Sequence, residues 1–317
     1  MNHHQVVIVG GGPGGAACAR RLMKNGVDCI ILDKQDFPRP KTCAGWITPQ
    51  VFQDLGITPE EYPHQLTSFS SLQLYLNHIP LTKSGQQYAI RRIEFDHWLL
   101  KLSRVPVIHH EVKEINKTKH GYQIDNQFTA DILIGAGGTH CPVYHKFFKI
   151  DQPRLGEKIV ALEEEFQADW KDGKCRLWFF ENDLPGYAWY VPKVGGYVNL
   201  GVGGNERVLK ERGSTIHSQW TYFVNKLLKM GLIDNRHYNP EGYVYYLRSS
   251  QNNFRKENIY LIGDSAGLAT LDMGEGIGPA IRSGLLLADS ILDKSEYSIS
   301  EIERFSLLPS YLRWILS

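Results

Sequence analysis

Apolar residues follow two rhythms along this chain. Short unbroken runs at Val6-Val7-Ile8-Val9, Cys29-Ile30-Ile31-Leu32, Ile132-Leu133-Ile134 and Ile259-Tyr260-Leu261-Ile262 have the make-up of strands buried on both faces, as in a parallel sheet covered by helices. Between them lie segments with partial polar and apolar alternation, at 69–76, 86–91, 159–166, 175–180, 187–191 and 197–202, which predict strands of a β-rich insertion. Helical spacing places Phe95, Trp98, Leu99 and Leu102 on one face of a helix from about Glu94, and further helices are predicted over about 215–231 and from Gly274 to Leu292. A short helix is expected to end near Leu55-Gly56, after a proline-marked loop at 37–46. The pattern predicts an α/β chain of two interleaved units. Residues 1–65, 92–153 and 255–317 would form the parallel-sheet unit, and 66–91 and 154–254 the antiparallel one.

The first strand runs directly into Gly10-Gly11-Gly12-Pro13-Gly14-Gly15-Ala16, and Asp33 closes the second strand. Strand, glycine turn, helix and acidic strand end, in that order, predict a dinucleotide-binding βαβ unit. Gly10 makes the turn, Gly12 admits a pyrophosphate and Gly15 lets the helix pack closely. The phosphates then sit on a helix N-terminus, where free N–H groups and the helix dipole favour an anion. Asp33 stands close to the spacing expected of a carboxylate that accepts ribose hydroxyls. A second glycine turn, Gly135-Ala136-Gly137-Gly138, lacks the third fingerprint glycine, so one resident dinucleotide is expected.

Charge adds little: Lys and Arg total 35 against 34 Asp and Glu, a net +1, so no global field recruits nucleic acid. The five cysteines, Cys18, Cys29, Cys43, Cys141 and Cys175, form no CxxC pair, which argues against a disulfide framework or a zinc site. His109-His110 and His140 with His145 match no standard metal spacing, and no metal is expected. The first strand begins within a few residues of Met1 and no apolar run reaches the roughly 18 residues that cross a bilayer. A cytoplasmic protein is expected. The aromatic tail from Phe305 to Leu316 reads as a packed final helix, with peripheral membrane contact as the other reading.

Four segments resemble the geranylgeranyl reductase family of FAD-dependent oxidoreductases, within the wider p-hydroxybenzoate hydroxylase-like class. They are the glycine fingerprint with Asp33; Arg39-Pro40-Lys41-Thr42-Cys43-Ala44-Gly45; Arg92-Ile93-Glu94-Phe95-Asp96-His97-Trp98-Leu99; and Ile262-Gly263-Asp264-Ser265-Ala266-Gly267 followed by Met273-Gly274-Glu275-Gly276-Ile277-Gly278. The resemblance implies a Rossmann-type FAD-binding domain with an inserted antiparallel substrate domain. It also implies that FAD is held by Gly10, Gly12, Pro13, Gly14, Gly15, Ala16, Asp33, Lys34, Lys41, Arg92, Gly263, Asp264, Gly274, Gly276 and Ile277. Tyr187-Ala188-Trp189-Tyr190-Val191-Pro192 is similar to the family's substrate-side Tyr-x-Trp-x-x-Pro segment, which assigns Tyr187 and Trp189 to the substrate wall. Cys43 falls in the family's Lys-x-Cys-x-Gly loop and is expected at the rim of the substrate cavity, with Lys41 favouring its thiolate.

The resemblance implies reduction of a double bond in a small apolar or aromatic substrate, an isoprenoid being one class, by hydride from reduced flavin. Monooxygenase or halogenase chemistry is the alternative reading, and a flavoprotein that escorts a protein partner is a second. Gly137-Gly138 replace an Asp-Gly that related hydroxylases use near FAD and NADPH, so the reductant, NAD(P)H or another donor including a protein, is left open.

Overall fold

The protein is described by a computed structural model covering residues 1–151, 156–170, 172–249 and 253–307. Two eight-stranded sheets make up the body. The first is built on parallel strands β1 (Asn2–Val9), β2 (Cys29–Asp33), β6 (Val107–His109), β9 (Phe128–Gly135) and β16 (Ile259–Leu261), in the order β16-β9-β1-β2-β6. Its antiparallel additions are β15 (Arg255–Lys256) on β16 and the hairpin of β7 (Ile115–Thr118) and β8 (Gly121–Ile124) on β9. The unbroken apolar runs are explained by burial on both faces. Val6 and Ile8 pack beneath helices α1 (Pro13–Lys24), α3 (Arg92–Ser103) and α7 (Ile277–Asp293), while Val7 and Val9 face a second core that includes Val143 and Tyr144 of α4 (Pro142–Phe147).

The second sheet contains β3 (Trp46–Ile47), β4 (Thr67–Leu76), β5 (Ile79–Ala89), β10 (Lys158–Gln167), β11 (Arg176–Phe179), β12 (Gly186–Lys193), β13 (Tyr197–Asn205) and β14 (Glu241–Tyr246), in the order β14-β10-β13-β12-β11-β4-β5-β3. All pairings are antiparallel except β11 with β4. Its outer face buries Leu162, Tyr190, Leu200 and Val202 against Trp220 and Phe223 of α6 (Ile216–Lys229) and Leu209 of α5 (Glu206–Glu211). The inner face is left for the site. β3 lies in the segment expected to belong to the parallel-sheet unit, yet it pairs with β5.

Several elements differ from the sequence expectation. The strand predicted at 86–91 is the end of β5, which begins at Ile79 after a turn with Asn77 and His78 at φ 46° and 71°. Polar, largely exposed residues and Pro80 hide its first half. The short helix α2 (Gln50–Leu55) ends as expected, at a left-handed Gly56. α3 begins two residues early, at Arg92, which brings Arg92 and Asp96 onto one face. The helix expected from Gly274 starts only at Ile277, because Gly274 is left-handed with φ 58°. Residues 308–316 of the aromatic tail lie outside the described residues. Ahead of them Phe305 is buried, and Asp272 accepts the Ser306 and Leu307 N–H groups at 3.0 and 2.7 Å.

Candidate active site

A cavity of about 700 Å³ is lined from both sheets, and all but two of the sequence-assigned residues stand on its wall. Gly10 leaves β1 with φ 116°, and a Cβ there would lie 2.4 Å from the Ala136 carbonyl oxygen, so the turn passes tightly against the end of β9. A Cβ on Gly12 would meet nothing within 4 Å: the N-terminus of α1 faces open space. Asp33 is buried, and its carboxylate accepts the Gly11 N–H at 2.7 Å and the Gln35 N–H at 2.9 Å, so it braces the turn besides facing the cavity. Pro13, Gly14 and Lys34 line the same end. Gly15 and Ala16 do not. They pack α1 onto the sheet, and a Cβ on Gly15 would stand 2.1 Å from the Gly10 carbonyl.

Gly263, Asp264, Gly274, Gly276 and Ile277 line the wall where β16 gives way to α7. Asp264 accepts a hydrogen bond from the Tyr243 hydroxyl at 3.2 Å. Glu275, buried beside them, accepts the Gly278 N–H at 2.6 Å; burial, with Asp272 and Asp264 adding to it, pushes its carboxyl up to about 7 despite that bond.

The opposite wall is the inner face of the second sheet, and register explains its shape. One row across four strands reads Glu241, Glu163, Gly201, Trp189, and the next reads Tyr243, Ala161, Gly203, Tyr187. Residues directly opposite one another share a face. Gly201, Gly203 and Ala161 therefore leave a low strip over which the Trp189 ring can lie, with Tyr187 and Tyr243 to either side. Trp189 leans over Gly201, where a Cβ would come within 2.0 Å of the indole, and its Nε1 donates to Asn199 Oδ1 at 2.7 Å. The Tyr187 hydroxyl donates to the Met273 carbonyl at 2.6 Å, with ring centres of Tyr187 and Trp189 5.6 Å apart. Tyr187 and Trp189 line the same cavity as the glycine turn.

The loop carrying Cys43 closes the side of the cavity. Cys43 is half-buried: its N–H donates to Glu163 Oε1, its carbonyl accepts from Asn199 Nδ2 at 3.4 Å, and its Sγ accepts the Gly45 N–H at 3.4 Å. Lys41 packs its ammonium 3.0 Å from the centre of the Tyr243 ring. Burial, reinforced by the Arg92 charge, lowers Lys41 to about 8. Arg92 is spent largely on Asp96, in a two-pronged pair at 2.7 and 2.8 Å, with the Cys43 thiol nearby. Two cations thus border the thiol, where the sequence suggested only Lys41.

Sequence reading passed over Glu163, Tyr243, Tyr245, Gly201 and Asn199, which complete the wall or hold it. A signal existed for two of them: Tyr243 and Tyr245 alternate in Tyr243-Val244-Tyr245, the mark of a strand with an aromatic face. Among the histidines whose spacing fits no metal site, His110 bonds Asp125 at 2.7 Å.

Residues 3–68 match the FAD binding domain family. The glycine turn, the open N-terminus of α1 and the carboxylate of Asp33 suit the diphosphate and ribose of that cofactor. The chain thus carries an FAD-binding domain match over its N-terminal part. This flavoprotein is 28% identical over 312 residues to an uncharacterized protein of Methanosarcina barkeri, spanning 94% of this chain and 76% of the relative. It is 26% identical over 320 residues to digeranylgeranylglycerophospholipid reductase 3 of Methanosphaera stadtmanae, spanning 91% and 78%. A solved geranylgeranyl bacteriochlorophyll reductase-like protein of Thermoplasma acidophilum shares the fold, with a TM-score of 0.79, 20% identity and coverage of 94% and 81%. So does CmlS, a flavin-dependent halogenase, with a TM-score of 0.70, 20% identity and coverage of 92% and 58%. The fold is therefore the p-hydroxybenzoate hydroxylase-like one expected. No helix among the described residues is long and apolar enough to cross a membrane.

Proposed function

We propose that this flavoprotein reduces a carbon–carbon double bond of an apolar, isoprenoid-type substrate. One observation carries the reading: the dinucleotide turn and a wall of Ala161, Tyr187, Trp189, Tyr243 and Tyr245 line a single cavity. Such an aromatic and apolar wall suits an unbranched or methyl-branched hydrocarbon. The name of the Methanosphaera relative supports the same substrate class. Reduced FAD supplies the hydride when bound there.

In this reading Gly10, Gly12, Pro13 and Gly14 hold the diphosphate, Asp33 takes the ribose hydroxyls, and Asp264 with Gly263, Gly274, Gly276 and Ile277 borders the remainder of the cofactor. Lys34, Lys41 and Arg92 add positive charge along its length. Tyr187 and Trp189 position the substrate, and Cys43 shapes the rim. The electron donor to the flavin is NAD(P)H or another reductant, a protein donor included.

Anaerobic photoreduction of the purified flavoprotein, followed by polyprenyl substrates or air, tests this. Reoxidation by a polyprenyl compound with a saturated product supports the proposal. Reoxidation by air alone, with a hydroxylated or halogenated product, would replace it with the oxygenase chemistry to which the CmlS likeness points. A flavin that no small acceptor reoxidises, together with a tightly bound protein, would instead favour the escort role.

A further inference from the structure

Glu163 stands out among the buried ionisable groups. It sits at the middle of β10, only 6% exposed, on the cavity face of the sheet and on the cavity wall. Its Oε1 accepts the Cys43 N–H, and its Oε2, itself enclosed by protein with the Asn199 amide nearby, has no partner within hydrogen-bond distance among the described residues. A carboxylate so placed would leave a charged oxygen buried and unsatisfied, which costs far more than burying a neutral acid. Lys193, the cation that favours its charged form, does not remove that cost. Lys193 is committed to Glu165, at 2.5 Å, and Glu165 takes Arg91 as well, at 2.8 Å.

We propose that Glu163 is the proton donor of the reaction: its carboxylic acid, held by the Cys43 loop beside Gly201 and Trp189, protonates the substrate carbon that does not receive hydride. This rests on the double-bond reading above. The substrate π bond breaks, hydride from reduced flavin makes one C–H bond, and the Glu163 O–H bond breaks to make the other. Two electrons pass from flavin to substrate. The carboxylate left behind regains its proton from water.

The surroundings favour the acid form near neutrality. Burial pushes Glu163 up to about 7; Lys193 on β12, the Cys43 N–H and Asn199 on β13 oppose it, and Glu165 on β10 adds to it. Glu241 lies opposite on β14, and Lys41 and Arg92 lie behind Cys43. An acid that titrates near the working pH is the kind that both holds and delivers a proton.

The test uses FAD-loaded protein and the variant Glu163→Gln, which keeps the side-chain shape without the acid. Infrared difference spectra taken as pH is raised should show a carboxylic-acid C=O band lost with a midpoint near 7 in wild type and absent from the variant; Glu275→Gln identifies the second band expected from Glu275. Anaerobic reoxidation of reduced flavin by a polyprenyl substrate should slow above the same midpoint in wild type. In Glu163→Gln it should be roughly 10²–10⁴-fold slower and lose that limb, with flavin content unchanged. Absence of the band, or a variant that reoxidises as fast as wild type, overturns the proposal and leaves the double-bond reading standing. A wild type that shows the band yet reduces no polyprenyl compound overturns the double-bond reading and the donor role with it. Should Glu163→Gln not retain flavin, wild type and Glu163→Asp decide: the infrared and kinetic midpoints should coincide in each and move together, and separate midpoints overturn the assignment.

Discussion

At the scale of single residues, the site divides into groups that touch the cavity and groups that hold those in place. Asp33 does both. Asp33→Ala removes an ionised acceptor for ribose and also frees the Gly11 and Gln35 N–H groups, so FAD affinity should fall about 10- to 100-fold, the equivalent of roughly 1.5–3 kcal/mol for charge-assisted bonds. Fluorescence titration of the apoprotein with FAD measures this, and unchanged affinity removes the role. Cys43 presents a finer case. Its sulfur accepts the Gly45 N–H, a bond that serine can replace and alanine cannot. Cys43→Ala should therefore slow substrate-driven reoxidation more than Cys43→Ser, with flavin retained in both, and equal rates in all three proteins would show that the thiol only fills space. Glu275 is raised to about 7 against an ordinary value of 4.5, so the folded state binds the extra proton between those values. Stability conferred by the neutral acid is complete below about 4.5 and lost as pH rises through about 7. Urea unfolding should show Glu275→Gln gaining on wild type across that window, on the order of 1–3 kcal/mol, and a constant difference would refute it.

Between elements, close contacts decide geometry. Trp189 reaches across β13 because position 201 carries no side chain, and Gly201→Ala would put a methyl group into the indole. The Trp189–Asn199 bond would break or the ring would swing into the cavity. Turnover should fall by an order of magnitude or more while FAD still binds, since the dinucleotide turn is on the other sheet. Loss of FAD along with turnover would show that the two walls are not separable. Helices α1 and α7 make a comparable contact: a Cβ on Gly284 would stand 2.3 Å from the Gly14 carbonyl, and one on Gly14 would stand 2.9 Å from that of Ala280. Gly284→Ala forces the helices apart at the level of the glycine turn. It should lower thermal stability by the roughly 1–3 kcal/mol typical of overpacking and weaken FAD binding. An undisturbed melting temperature would mean that the helices shift at no cost.

Across the whole molecule, the site exists because two sheets of different construction face each other. The parallel one carries its chemistry at strand ends, where chain and motif are continuous. For that reason the sequence alone determined the dinucleotide half: strand, turn, helix and acid lie within residues 6–33, and the loop from Arg39 to Gly45 and the segment from Gly263 to Ile277 each read as a unit. Local order specified local geometry, including four of the five parallel strands and the burial of their apolar runs; β6, three residues long and largely exposed, has no such run. The other half was decided by tertiary structure. Glu241, Glu163, Gly201 and Trp189 become neighbours only through the register of β14, β10, β13 and β12, of which β12 and β13 form a local hairpin and the others come from distant parts of the chain. Alternation along one strand shows which residues share a face but not which strand lies alongside or at what offset. The same holds for charge. A glutamate in Glu163-Glu164-Glu165 reads as solvated surface, and only the packed sheet buries the first, pairs the third with Lys193 and places the second at the periphery beside Arg236. The energy of a buried carboxyl is set by the partners that surround it in space, and those come from distant parts of the chain.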